Sequence, residues 1–398
     1  MTAPKGDIAI IGGGILGVVL AHEAAAAGFR PIVFRLSDEE VPFADSLRNQ
    51  SWLQSGLRYV RHNPPLAQRM WTFGRRLHEA LGVRVPSGRG VFKLQSKDVP
   101  TFLEDVRNLG VTADVKELTA EEADRLLGPH YESGHHYYST PESPFDEAKL
   151  IRQGREQAER RNAVFCEIAK PAEIIPLAGQ SPSHRIRVDG KEMEFGTTIL
   201  AAGAGNIPLL ETLGGQVRIK IVQTPLLVLP GAPTIETAIF IDRSSKFSLV
   251  AHPPGRGRSD GCMVFAAEVN EPIGLHCLPS ARKVHPNKRA ALQAAVPDPL
   301  KSRLGQSRVT AGWELSVVRD DVELHTAEPF IESAQGHDDI VIAMPGRATL
   351  ALYAAERIMA KLRRRKSPKN EDTAVSSSWN PMSIRMHHED YYDYRLDD

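Results

Sequence analysis

Hydrophobic and polar positions change period along this chain, and the changes mark its elements. The apolar runs at 8–11 and 31–34 are short and uninterrupted, as in strands buried on both faces. Between them lies an Ala-rich helical run, 15–27, which Gly28 stops. From 64 to 82 the pattern is helical, with Leu66, Met70, Phe73, Leu77 and Leu81 on one face. Further helices are predicted over 99–109, 119–127, 145–161 and 287–295, and Thr119 with Glu122 forms a capping-box pattern. Strands are predicted at 91–94, 135–138, 164–175, 192–202, 216–229, 240–241, 247–252 and 263–267. A last strand from 339 runs through a Pro-Gly-Arg turn into a helix ending at 362. Residues 253–261 read as a loop, with Arg256 and Arg258 solvated.

The first of these patterns carries chemistry. Gly12, Gly14 and Gly17 follow the first strand at the spacing GxGxxG and open the helix, which makes a Rossmann-like strand–turn–helix–strand unit. Gly12 permits the tight turn, Gly14 lets backbone approach a pyrophosphate, and Gly17 lets the helix lie close to the sheet. The N–H groups of the first turn, Ile15 and Leu16 among them, then face the phosphates together with the positive end of the helix dipole. The acidic residue that usually holds a ribose hydroxyl falls about twenty positions on; here that position is Arg35. Two readings stay open: Arg35 meets a 2′-phosphate, as in NADP-type sites, or it lines an adenosine pocket with a looser ribose contact. Ser46, Asn49 and Ser51 lie in a small, polar, Gly-punctuated stretch and suit hydrogen bonds to a cofactor's phosphates or ribityl chain.

Composition narrows the class. The 398 residues suffice for two joined domains with sizeable cores, and 41% hydrophobic with 25% charged residues is the balance of a globular chain. Lys plus Arg equals Asp plus Glu at 49 each, which gives no reason to expect nucleic acid or an acidic membrane surface. No apolar run approaches the roughly 20 residues of a membrane span. With only residues 1–6 before the first strand, no signal peptide is expected. Cys166, Cys262 and Cys277 lack CxxC spacing, and so sparse a set implies reduced thiols and a cytoplasmic chain. His135 and His136 have no third ligand at metal-site spacing and belong to a strand, so no metal is expected; His136 or Tyr138 remains a candidate to line a pocket.

Gly12–Gly17 together with the stretch 46–59 resembles the FAD-dependent oxidoreductases of the D-amino-acid oxidase type. Residues 55–59, Ser-Gly-Leu-Arg-Tyr, look most like the Gly-Gly-Leu-Arg-Tyr of flavin-linked glycerol-3-phosphate dehydrogenases, and other motifs resemble glycine and 2-hydroxyglutarate oxidising enzymes. Two downstream blocks strengthen the likeness: 198–205, Thr-Ile-Leu-Ala-Ala-Gly-Ala-Gly, and 339–352. The resemblance implies a non-covalent FAD. It implies that the backbone near Ala172 holds the adenine, that Ala202 and Gly203 lie beside the cofactor, and that the turn Gly346, Arg347, Ala348 and Thr349 faces the flavin. It also implies departures: Glu314 stands where glycerol-3-phosphate enzymes place a phosphate-binding Arg, and Gln54 stands where they place a His.

The expected fold is α/β, a Rossmann-like FAD-binding domain (1–80, 145–222 and 310–362) interleaved with an antiparallel-sheet substrate domain (81–144 and 223–309). The expected reaction is oxidation of a C–N or C–O bond in a small amino acid, amine or hydroxy acid. Arg58 would anchor a carboxylate, Tyr59 would shape the pocket, Arg347 would lie by the flavin or the substrate anion, and Glu314 would accept a hydrogen bond, act as base, or pair with Arg58 or Arg347. A quinone- or protein-linked dehydrogenase and a same-fold scaffold without flavin chemistry are the rivals; an NADP enzyme rests on Arg35 alone. The tail, 363–398, lacks periodic apolar faces and is either flexible or docks on a second copy or a partner subunit.

Overall fold

The computed structural model describes residues 7–36, 52–84, 89–144, 147–177, 184–214, 217–252, 261–267, 274–275, 284, 286–319, 322–323 and 327–365. Ser46, Asn49, Ser51, Cys277, the loop 253–260 and the tail beyond 365 lie outside them.

A six-stranded sheet organises the first half of the architecture. Its order is Phe330–Ala334, His337–Met344, Thr197–Leu200, Asp7–Ile11, Arg30–Leu36 and Val164–Ile168. The last five strands are parallel, and Phe330–Ala334 closes the edge antiparallel. Both faces are covered, which is why the first strands read as unbroken apolar runs. Ile8, Ile10 and Val33 pack on helices Ile15–Ala26, Glu147–Glu159 and Ala351–Arg365. Ala9, Ile11 and Phe34 face the opposite layer, where Ile174 and Ile186 belong to the three-stranded sheet Glu173–Pro176, His184–Val188 and Lys191–Met193. The edge strand and the small sheet's hairpin are absent from the sequence reading.

A ten-stranded sheet forms the second half, with Val217–Pro230 and Arg308–Arg319 as its longest pair. The pairs are antiparallel except Ile239–Asp242 with Gly90–Leu94, two segments distant in sequence, which run parallel. Phe92, Leu94, Ile239 and Val250 pack against Phe102 and Val106 of helix Val99–Leu109, and against Trp52 and Leu57. The long pair also bridges the two halves: Ile219, Ile221 and Val317 lie in the core beside the parallel sheet, and Leu227 and Leu229 in the outer core of the ten-stranded sheet. Trp52–Leu53 pairs with Ser143–Pro144 and ties the loop after the first unit to the second sheet.

Helix Pro64–Ala80 buries Leu66, Met70 and Leu77 as its period predicts. The Thr119–Glu122 capping box is present with both bonds formed. His136 is half-buried and pairs with Glu117 at 3.0 Å, while Tyr138 is buried against Phe102. No His, Cys, Asp or Glu cluster with metal-binding geometry occurs among the described residues.

Candidate active site

Register places the glycine-rich ends of three parallel strands side by side. Ile11 is level with Leu200 and Phe34, and Leu200 with Ile342. The turns at 12–14, 201–203 and 345–349 therefore line the carboxyl edge of one sheet, the place where open α/β sheets bind ligands. From strand Arg30–Leu36 to strand His337–Met344 is three strand steps, about 14 Å at ordinary sheet spacing. That span suits an extended molecule.

Each turn is bare of side chains for a steric reason. Gly12 has φ +118°, and a Cβ on it would lie 2.5 Å from the Ala201 carbonyl oxygen. A Cβ on Gly17 would lie 1.8 Å from the Gly12 oxygen, so only glycine lets the helix start this close to the turn. Gly14 caps the helix without a side-chain hydrogen bond of its own, in keeping with an N-terminus that can receive a phosphate. Asn206 is fully buried, accepts from the Ala202 N–H at 3.0 Å and donates to the Leu200 carbonyl at 3.2 Å, which fixes the second turn. At the third turn Gly346 has φ +70°, and a Cβ there would strike the Ala327 carbonyl. The next residue, Glu328, is held by Asn63 and by Arg69 at 2.7 Å, so this turn is braced by the helix Pro64–Ala80 and the loop before it.

Arg35 lies against the first turn: a Cβ on Gly13 would be 2.7 Å from the Arg35 Cβ. Ala172 is buried with Ile11, Ile32 and Phe34 at the same end. The opposite end holds the polar group. Arg347 donates from both terminal nitrogens to Glu314, at 2.7 and 3.2 Å, and Tyr59 is a further partner of the guanidinium. Burial, the largest influence, pushes the Arg347 pKa down, but Glu314 and Tyr59 outweigh it and the net shift is upward. Of the two partners weighed for Glu314, the structure gives it Arg347. Arg58 is exposed, with its guanidinium 5.6 Å from the centroid of the Trp52 ring.

Three buried polar atoms around this end lack a partner among the described residues: Gln54 Oε1, Arg347 Nε and Thr349 Oγ1. Buried polar atoms are rarely left unpaired, so such atoms point to a ligand. Thr349 and Leu53 both approach Gly74, which places the strand before Gln54 next to the third turn. With the bared turns, these atoms fit a dinucleotide laid along this edge.

The sequence reading missed Glu142. It is fully buried and accepts from the Trp52 indole N–H at 2.6 Å, from the Ser55 N–H at 2.9 Å and from the Ser55 hydroxyl. Burial pushes its carboxyl pKa up against the opposing pull of Ser55, Trp52 and Arg58. Glu142 thus sets the path of 52–58, the segment that carries Gln54, Arg58 and Tyr59. A single acidic residue between prolines gives no local signal for this role.

The family profile of FAD-dependent oxidoreductases matches residues 7–361. No curated protein matches the sequence significantly. Solved structures with similar folds include iminodiacetate oxidase from Chelativorans sp. BNC1, at TM-score 0.67 and 16% identity over 90% of this chain and 95% of that one. L-proline dehydrogenase from P. horikoshii has TM-score 0.64 and 15% identity over 92% and 95%. Glycine oxidase from Geobacillus kaustophilus has TM-score 0.62 and 17% identity over 92% and 96%. With a profile match across most of its length and a cradle that fits the dinucleotide, the chain belongs to the D-amino-acid-oxidase (DAO) family of FAD-dependent oxidoreductases.

Proposed function

We propose that the enzyme oxidises a C–N or C–O bond of a small amino acid, amine or hydroxy acid. FAD, when bound, supplies a two-electron acceptor that takes a hydride at N5. In this reading 1–80, 145–222 and 310–362 hold the cofactor, and 81–144 and 223–309 shape the substrate side. Gly12, Gly14, Ile15, Leu16 and Gly17 cradle the pyrophosphate, Arg35 and Ala172 flank the adenosine, and Ala202 and Gly203 give the backbone its close approach. Gly346, Ala348 and Thr349 face the ring. Thr349 Oγ1 and Gln54 Oε1, unpaired among the described residues, offer it hydrogen bonds.

On the substrate side, Arg58 stands at the rim, where its fork suits a carboxylate. Tyr59, Arg347 and Glu314 form the inner wall. The single observation that carries the reading is the Glu314–Arg347–Tyr59 group beside the turn that ends the parallel sheet. It orients a substrate next to the position of the redox head and does not supply a phosphate site. The test is anaerobic mixing of the flavin-loaded enzyme with amines, amino acids and hydroxy acids. Bleaching of the flavin absorbance by members of one class supports the proposal. A flavin that only phosphorylated polyols or nicotinamide nucleotides bleach would refute it. Oxygen uptake in the same assay separates an oxidase from a dehydrogenase that uses another acceptor.

A further inference from the structure

We infer that Glu314 is an internal anion that fills the fork of Arg347 and closes the inner end of the site to carboxylates, so that the substrate presents an amine there. The inference rests on the oxidoreductase reading above and narrows its substrate class.

Both terminal nitrogens of Arg347 donate to Glu314, the arrangement in which arginine recognises a planar carboxylate. An incoming carboxylate must therefore displace one that is already seated. The seated one has the advantage of being built in. Glu314 lies on the strand Arg308–Arg319, which is paired with Val217–Pro230 over twelve consecutive positions, with Glu314 opposite Val222. So rigid a mount gives it a high effective concentration at the guanidinium. The two side chains keep only 24% and 29% of their surface exposed. Water replaces a lost partner poorly in such a place, and a displaced Glu314 would face a second negative charge.

An amine meets a different surface. It brings N–H donors and no charge that competes for Arg347. A carboxylate oxygen has more than one lone pair, so Glu314 accepts a hydrogen bond from the amine without leaving the guanidinium. The closed pair has no net charge, and the neutral amine, which is the form able to release a hydride, leaves that balance intact. A substrate that also carries a carboxylate would turn that end outward, toward the exposed Arg58.

The test is calorimetric titration with acetate of the wild-type protein, of Glu314→Gln, and of Glu314→Gln combined with Arg347→Gln. We expect Glu314→Gln to bind acetate about tenfold or more tightly than wild type, and the second substitution to abolish the gain. Affinities for wild type and Glu314→Gln within about twofold would overturn the proposal. Glu314→Ala replaces Glu314→Gln should the latter not fold. Should neither fold, the wild type decides: acetate binding that Arg347→Gln removes overturns the inference, and no binding heat sustains it. The heats need no turnover, and flavin content read by absorbance on the same samples reports separately on the oxidoreductase reading.

Discussion

At Gly17 a methyl group is enough to break the cradle, because a Cβ would fall 1.8 Å from a backbone oxygen that cannot move aside. Gly17→Ala is expected to lose roughly 2–3 kcal/mol of stability and most of its FAD affinity, checked by thermal melting and by flavin content after purification. Gly28→Ala is the control, since nothing lies within 4 Å of its Cβ position and only its φ of +81° is strained. Arg347→Gln removes one member of a pair that is a quarter exposed. Discounted for that exposure, the loss should be about 1–2 kcal/mol, and the rate of flavin reduction should fall more than the binding of FAD does. Stopped-flow reduction and an FAD titration separate the two. The glycines were legible in the sequence because their spacing has a local steric cause. The partner of Glu314 was legible only as a choice between Arg58 and Arg347, because 33 residues separate Glu314 from Arg347 and no local pattern fixes their approach.

Elements carry the pH dependence. His130 lies in the turn after helix Ala120–Leu127, packed on Phe240, bonded to Thr234 at 3.1 Å and 5% exposed. Burial, Arg303 and Lys93 push its pKa down to about 4 against the opposing pull of Glu132. A histidine with a depressed folded pKa binds fewer protons folded than unfolded. Stability is then complete above the unfolded value of about 6.5 and falls as pH drops toward 4, by roughly 3 kcal/mol. His130→Asn should flatten that part of the acid limb in denaturant melts; an unchanged slope would contradict the assignment.

Glu142 runs the other way. Its raised pKa means the folded state holds the proton longer, so its contribution declines as pH rises above the ordinary carboxylate range. The difference in melting temperature between Glu142→Gln and wild type should therefore shift in favour of the variant between acid and neutral pH. The same variant should hold FAD more weakly, because the segment 52–58 loses an acceptor for one of its three donors. At this scale the helix Pro64–Ala80 and the capped helix Ala120–Leu127 were readable from their periods. The two-residue strand Trp52–Leu53 was not, since its partner Ser143–Pro144 is fixed by a buried carboxylate and by no local pattern.

Among the described residues the molecule is a mainly parallel sheet with glycine turns at its carboxyl edge, joined to a second sheet through one long strand pair. The α/β class and the glycine turns at the sheet's carboxyl edge followed from the sequence, because buried strands and glycine turns leave strong local marks. The order of the second sheet did not, because its parallel pair joins segments about 150 residues apart. Ligand linkage operates at this level: FAD at a hundredfold excess over its dissociation constant should stabilise the folded chain by about 2.7 kcal/mol, seen as a concentration-dependent rise in melting temperature. No helix among the described residues is long and apolar enough to cross a membrane. The most direct measurement is a crystal structure of the protein loaded with FAD. The account expects the pyrophosphate at Gly12–Gly17 and the isoalloxazine against 346–349, within reach of Gln54, Thr349 and the Glu314–Arg347 pair. A ring bound away from that turn, or a protein that crystallises from excess FAD with none in the cradle, would contradict it.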